Sequence, residues 1–149
     1  MKKILLLPAA AVLLTNCGLE PSRAGDIEPF SGFEITSESY TYSTDTKKIE
    51  FTIYDNYYLD FSYSEEWELD KKVDGEWKRI PYKDESLKLA AYGIRAHKEQ
   101  RFTIDLTLFD YSFNAGEYRY YQEFGASRHG ADNDKGPEST YAVFEFELE

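Results

Sequence analysis

The sequence predicts an all-β fold, an antiparallel sandwich of about seven to eight short strands behind a cleaved N-terminal signal. Three observations predict it. Apolar residues recur at every second position in segment after segment, clusters of Gly, Pro, Asn and Asp separate the segments, and aromatic residues are abundant in a chain with one Cys. Period-two alternation places one face of an extended chain in a core. Short strands closely spaced by turn signals pack as two layers.

Each element follows from its own residues. Phe33 and Ile35 mark a short first strand. Ile49, Phe51 and Ile53 alternate with Glu50, Thr52 and Tyr54. Trp67, Leu69 and Lys71 share a face opposite Glu66, Glu68 and Asp70. Asp74-Gly75 then predicts a tight turn before Trp77 and Ile80, so residues 65–80 form a hairpin. Ser86 to Gln100 reads as a short strand and a loop, because Tyr92-Gly93-Ile94 interrupts the helical spacing of Leu87, Leu89 and Ala90. Phe102, Ile104, Leu106 and Leu108 alternate with Thr103, Asp105, Thr107 and Phe109. Tyr118 and Tyr120 alternate with Arg119 and Tyr121 in a penultimate strand. Ala142, Phe144, Phe146 and Leu148 supply the buried face of the last one.

The chain begins differently. Lys2 and Lys3 precede an apolar run from Ile4 to Leu14, broken only by Pro8. The run is too short for a membrane-spanning helix, which needs ~20 residues, and matches the apolar stretch of an export signal. It ends at Leu14-Thr15-Asn16-Cys17, which resembles the lipobox of bacterial lipoproteins, with Asn16 in place of the small residue that family prefers. The resemblance implies that residues 1–16 are a signal peptide and that Cys17 becomes the first mature residue, its thiol joined to diacylglycerol. The ordinary alternative is a simple secretory cleavage site. Two or more acyl chains anchor a protein stably, so the membrane is an expected partner through Cys17. Residues 17–32, with Pro21, Ser22, Gly25, Pro29, Ser31 and Gly32, then predict a flexible tether before one domain over residues 33–149.

Removing residues 1–16 takes away two lysines and no acid, leaving 15 basic against 28 acidic residues and a net charge of −13. That charge excludes nucleic acid, which requires a basic face. It also opposes unaided adsorption to anionic lipid. Tyr (13), Phe (10) and Trp (2) are too numerous for an acidic disordered chain, so a folded domain is expected. A single Cys leaves no disulfide, and packing alone must hold the fold.

Phe113-Asn114-Ala115-Gly116-Glu117-Tyr118 looks like a tyrosine corner, in which the Tyr hydroxyl bonds upstream backbone and fixes a crossover between sheets. Trp67 stands where immunoglobulin-like cores often carry a Trp. The stretch from roughly Tyr42 to Glu149 resembles the bacterial Ig-like domain of small exported lipoproteins. The matching pieces are Ile49 to Asn56, Trp67 to Lys71 with Asp74 to Trp77, and Gly116 to Tyr120 leading to Ala142–Phe146. The resemblance implies an immunoglobulin-like sandwich in which Trp67, Trp77, Gly116 and Tyr118 are structural, and it carries over no catalytic residue.

Candidate chemistry is sparse. His97 and His129 are the only histidines, and neither has a spaced ligand set or a nucleophile beside it. Asp132-Asn133-Asp134-Lys135-Gly136 has the opening of a calcium loop, but Val143 replaces the Glu that the loop needs at its twelfth position. No metal, cofactor or catalytic residue is therefore expected. Tyr54, Asn56, Tyr57, Tyr58 and Phe61 form the candidate ligand-binding loop, where rings would add contact area at small entropic cost; the alternative, which the sequence favours, is that several fold back to cap the sandwich end. The loops at 113–117 and 125–138 are secondary candidates. The expected function is a non-enzymatic lipoprotein presenting its domain for a protein or glycan ligand or for envelope structure. The alternative is an inhibitor or accessory factor of an extracytoplasmic hydrolase, acting through sandwich-end loops.

Overall fold

The computed structural model describes residues 18–84, 91–126 and 139–149, and eleven strands lie among them. They are β1 (Glu20–Pro21), β2 (Phe33–Thr36), β3 (Thr41–Tyr42), β4 (Lys48–Asp55), β5 (Phe61–Ser64), β6 (Glu68–Val73), β7 (Glu76–Arg79), β8 (Ala91–Ile94), β9 (Glu99–Asp105), β10 (Gly116–Ala126) and β11 (Ser139–Leu148). The smaller sheet runs β2-β4-β9. The larger runs β1-β7-β6-β10-β11-β3, with β5 also paired to β10 and β8 to β5. The ladders are antiparallel apart from β3, which runs parallel to β11. The count exceeds the expected seven to eight because β1 and β3 are two-residue additions and residues 61–64, expected in the loop before the Trp67 strand, form β5.

The core lies between the sheets and is strongly aromatic. Ile49, Phe51 and Ile53 of β4 meet Tyr118, Tyr120 and Phe124 of β10 and Phe144, Phe146 and Leu148 of β11, all buried. Phe51 stacks on Phe144 at 4.8 Å and on Phe102 at 5.5 Å. Each fully buried ring contributes roughly 2–3 kcal/mol. The Asp74-Gly75 turn joins β6 to β7 with both residues at positive φ, 52° and 80°, which matches the twist of a two-residue hairpin. The corner is also formed. Tyr118 Oη donates to the Asn114 carbonyl at 2.7 Å and accepts the Asn114 N–H at 3.3 Å. Gly116, at φ +150°, lets Lys71 pass close by: a Cβ there would meet Lys71 Cε at 3.1 Å.

Two departures from simple alternation have local causes. β9 ends at Asp105, whose carboxylate accepts the Thr107 N–H at 3.0 Å and the Thr107 hydroxyl at 2.5 Å. A side chain that satisfies nearby backbone competes with the ladder. The chain enters a 3-10 turn, Leu106–Leu108, and the burial phase slips: Leu106 and Phe109 are buried and Leu108 is exposed. In β10, five consecutive residues from Tyr118 to Gln122 are buried. A strand with one wet face cannot do that, so its outer face is covered as well.

The cover is the segment expected to be a free tether. Glu20 and Pro21 pair with Arg79 and Lys78, and the Ser22 N–H donates to the Trp77 carbonyl at 3.1 Å. Pro21 is tolerated because β1 is an edge strand, where one missing donor faces outward. Ser22 Oγ donates to Asp70 Oδ2 at 2.7 Å. Arg119 Nη2 donates to the same oxygen at 2.6 Å and to the Gly25 carbonyl at 3.0 Å. The Trp77 ring covers the guanidinium at 4.6 Å. Farther along, the Phe30 N–H donates to the Tyr141 carbonyl, and the Phe30 ring meets Phe33 and Phe61 edge-on at 5.1 and 5.6 Å.

Two outcomes follow from this packing. Tyr118→Phe should cost about 1–2 kcal/mol, because the Asn114 carbonyl loses its donor in a part-buried site; equilibrium urea unfolding measures it, and no loss would show that the corner contributes nothing. Asp70→Ala should cost about 3–5 kcal/mol by leaving Arg119 buried without its counter-ion, while the apolar pair Asp70→Leu with Arg119→Met should lie closer to wild type than either single change.

Candidate functional site

The structure divides the predicted aromatic loop. Phe61 is buried in the core, and Tyr54 is half-buried on β4. Tyr57 folds back, its ring 5.2 Å from Phe30 and 6.2 Å from Phe61. Tyr58 is exposed, with its ring 4.4 Å from that of Tyr57. Asn56 is exposed and reaches Glu34 at 3.4 Å. The loop is fixed at its start by Asp55, whose Oδ1 accepts the Tyr57 N–H at 2.7 Å. Burial raises the Asp55 carboxyl above the usual carboxylate range, although the Tyr57 N–H and the nearby His97 favour its charged form. Most of this loop therefore caps the sandwich end, and one ring stays open to solvent.

A larger concavity lies elsewhere. β5 and β6 both pair with the same side of β10, but not continuously. The β5 ladder ends at Tyr63 opposite Phe124, and the β6 ladder begins at Glu68 opposite Tyr121. Four residues, Ser64 to Trp67, therefore stand against two, Gln122 and Glu123. An excursion of this kind bends the strand and re-aims its side chains. The buried Gln122 side chain takes over the missing ladder contact: its Nε2 donates to the Ser64 carbonyl, and its Oε1 accepts from the Tyr120 hydroxyl. Trp67 turns inward onto Tyr120, Phe109 and Tyr82 at 5.3, 5.4 and 5.9 Å.

The break opens a cleft of about 910 Å³ between β8, the Tyr82–Asp84 segment and β9, the terminal strand of its sheet. Its inner wall is aromatic, with Trp67, Tyr82, Tyr120 and Phe102. Tyr82 donates its hydroxyl to the Trp67 carbonyl, and burial pushes that hydroxyl well above the usual tyrosine range. At the mouth, Tyr92 is 45% exposed, stacks on Tyr63 at 5.7 Å and donates to Glu65 at 2.6 Å. Arg101 is exposed at the rim and makes no ion pair among the described residues. Glu68 links the rim to the N-terminal segment, accepting from Arg23 and from Arg79 at 3.0 Å each. Among the described residues that line the cleft, four are acidic and four basic, so their charges balance in a strongly acidic protein.

Of the residues expected to be structural, Trp67 lies in the strand excursion, Trp77 covers Arg119, and Gly116 and Tyr118 form the corner. Tyr82, Tyr92, Arg101 and Gln122 were not anticipated as a site. The one available signal was Glu65, an acid on the apolar phase that runs Phe61, Tyr63, Trp67, Leu69. Two extra residues restore that phase, so alternation alone hides the break. His97 is exposed in the turn after β8, at φ 57°. Among the described residues no group of three His, Cys, Asp or Glu side chains is placed to hold a metal ion, and no helix is long and apolar enough to cross a membrane. Cys17, His129 and the Asp132–Gly136 loop lie outside the described residues.

No curated protein and no solved structure matches the chain. The model of one family, described as a bacterial Ig-like domain, matches residues 29–142, from the Phe30 anchor into β11. Domains of that kind are generally non-catalytic and surface-exposed. With a two-sheet sandwich and a formed tyrosine corner beside that match, the chain belongs to the bacterial Ig-like domain family.

Proposed function

We propose that this chain is an exported lipoprotein, anchored through diacylglycerol on Cys17, whose Ig-like domain is a non-enzymatic binding module with the cleft at the β5–β6 break as its site. The cleft carries the reading: it is the place where the sandwich opens a sheet instead of closing it, and rings and hydrogen-bonding side chains converge there. The short positive and apolar N-terminus ending at Cys17 supports the anchor.

The chemistry of the cleft suits a neutral ligand with apolar faces and hydroxyl edges, a saccharide above all. Ring faces such as Tyr92 receive C–H surfaces, and planar Arg, Glu and Gln groups receive hydroxyls. Local charge neutrality gives no preference for an ionic ligand. A hydrolase inhibitor acting through the 56–60 loop is the second reading, supported by the exposed Tyr58 ring.

An oligosaccharide array probed with the labelled protein tests this. Tyr92→Ala and Arg101→Ala should each weaken saccharide binding about tenfold, or ~1.4 kcal/mol, the Arg101 variant without loss of thermal stability, and Tyr58→Ala should leave binding unchanged. Loss with Tyr58→Ala alone, or recovery of a hydrolase as the tight partner, would shift support to the inhibitor. Turnover of a bound saccharide would overturn the non-enzymatic reading.

A further inference from the structure

Resting on the lipid anchor proposed for Cys17, we infer that the domain has no stalk: the N-terminal segment holds the β1–β7 edge of the larger sheet directly against the lipid headgroups. Glu20 is already hydrogen-bonded into the sheet opposite Arg79. Only Gly18 and Leu19 separate it from Cys17. Three extended residues span about 10 Å at most. Residues beyond Glu20 add no slack. The Ser22 N–H is bonded to the Trp77 carbonyl, its hydroxyl to the buried Asp70, and the Gly25 carbonyl to the buried Arg119. Asp70 and Arg119 are 0% and 4% exposed at their side chains, so peeling the segment away would uncover both charges.

The occupant of this edge is the headgroup surface, because the covalent reach from an acylated Cys17 admits nothing thicker. The same geometry locates the binding cleft. Arg23, on its rim, is six residues from Cys17, and that span is about 20 Å at full extension. The ligand of the cleft is therefore met at the membrane surface and not at a distance from it.

The test uses the mature acylated protein in a supported phosphatidylcholine bilayer, compared with a variant carrying about twenty Gly/Ser residues between Leu19 and Glu20, an insert with an r.m.s. span of about 25 Å. Neutron reflectometry should show the wild-type layer in contact with the headgroups and the variant separated by a hydrated gap. Hydrogen exchange on the same wild-type sample should show the Ser22 amide protected. A hydrated gap under the wild type equal to the variant's, or a Ser22 amide that exchanges as fast as an unstructured one, would overturn the stalkless arrangement while mass spectrometry still finds diacylglycerol on Cys17. An unmodified Cys17 in that spectrum would overturn the anchor itself and this inference with it.

Discussion

Arg119 sits in the first half of β10, the longest strand among the described residues, with its guanidinium turned to the outer face of the larger sheet, and that buried charge organises much of what surrounds it. A desolvated guanidinium requires an anion and further acceptors. Asp70 supplies the anion from the neighbouring strand, in register opposite Arg119. Further acceptors cannot come from the sheet, whose backbone is committed to its ladders. Those of Nη2 come from Ser22 and Gly25, near the start of the described chain, while Nε is buried without a hydrogen-bond partner among the described residues. Trp77 closes the arrangement from β7. One charge pair thus joins β6, β7, β10 and the N-terminal segment, converting an edge that Pro and Gly would leave loose into a covered face.

The two-sheet architecture was legible because its core obeys one rule. In β4 and β11 every second residue is buried, and the sequence shows that alternation without interruption. The hairpin at Asp74-Gly75 and the corner at Tyr118 were legible for another reason: each depends on a few adjacent residues whose chemistry permits little else. Long-range pairing was not legible. Pro21, Ser22 and Gly25 have the composition of a linker, and their docking depends on Asp70 and Arg119, dozens of residues away. The 3-10 turn at Leu106 was hidden because a single capping carboxylate overrode a pattern that otherwise continued through Leu108.

The aromatic loop shows the limit of composition as evidence for a site. Five residues between Tyr54 and Phe61 were grouped by proximity in sequence, yet strand geometry sends Phe61 into the core, lays Tyr57 against Phe30 and leaves Tyr58 outside. Ring density measures available contact area and says nothing of its direction. The cleft is the converse case. Its rings come from β5, the Ser64–Trp67 excursion, the 82–84 segment, β8, β9 and β10, and each of these supplies a single one.

The strand excursion at Ser64–Trp67 removes ladder hydrogen bonds from the side of β10, and a closed sheet would be more stable without it. The chain instead spends the buried side-chain amide of Gln122 on patching the gap, and turns Trp67 inward to wall the opening. A costly break, repaired on one side and left open on the other, is what a fold carries where backbone continuity is exchanged for a concave surface. Glu68 stands at the hinge of this exchange. It begins β6, pairs with Arg79 of the strand that holds Glu20, and pairs with Arg23 of the N-terminal segment. Displacing the segment would release the charge that steadies the cleft rim, so the N-terminal segment and the cleft are parts of one network, with the cleft held in shape by the same residues that dock the segment on the sheet.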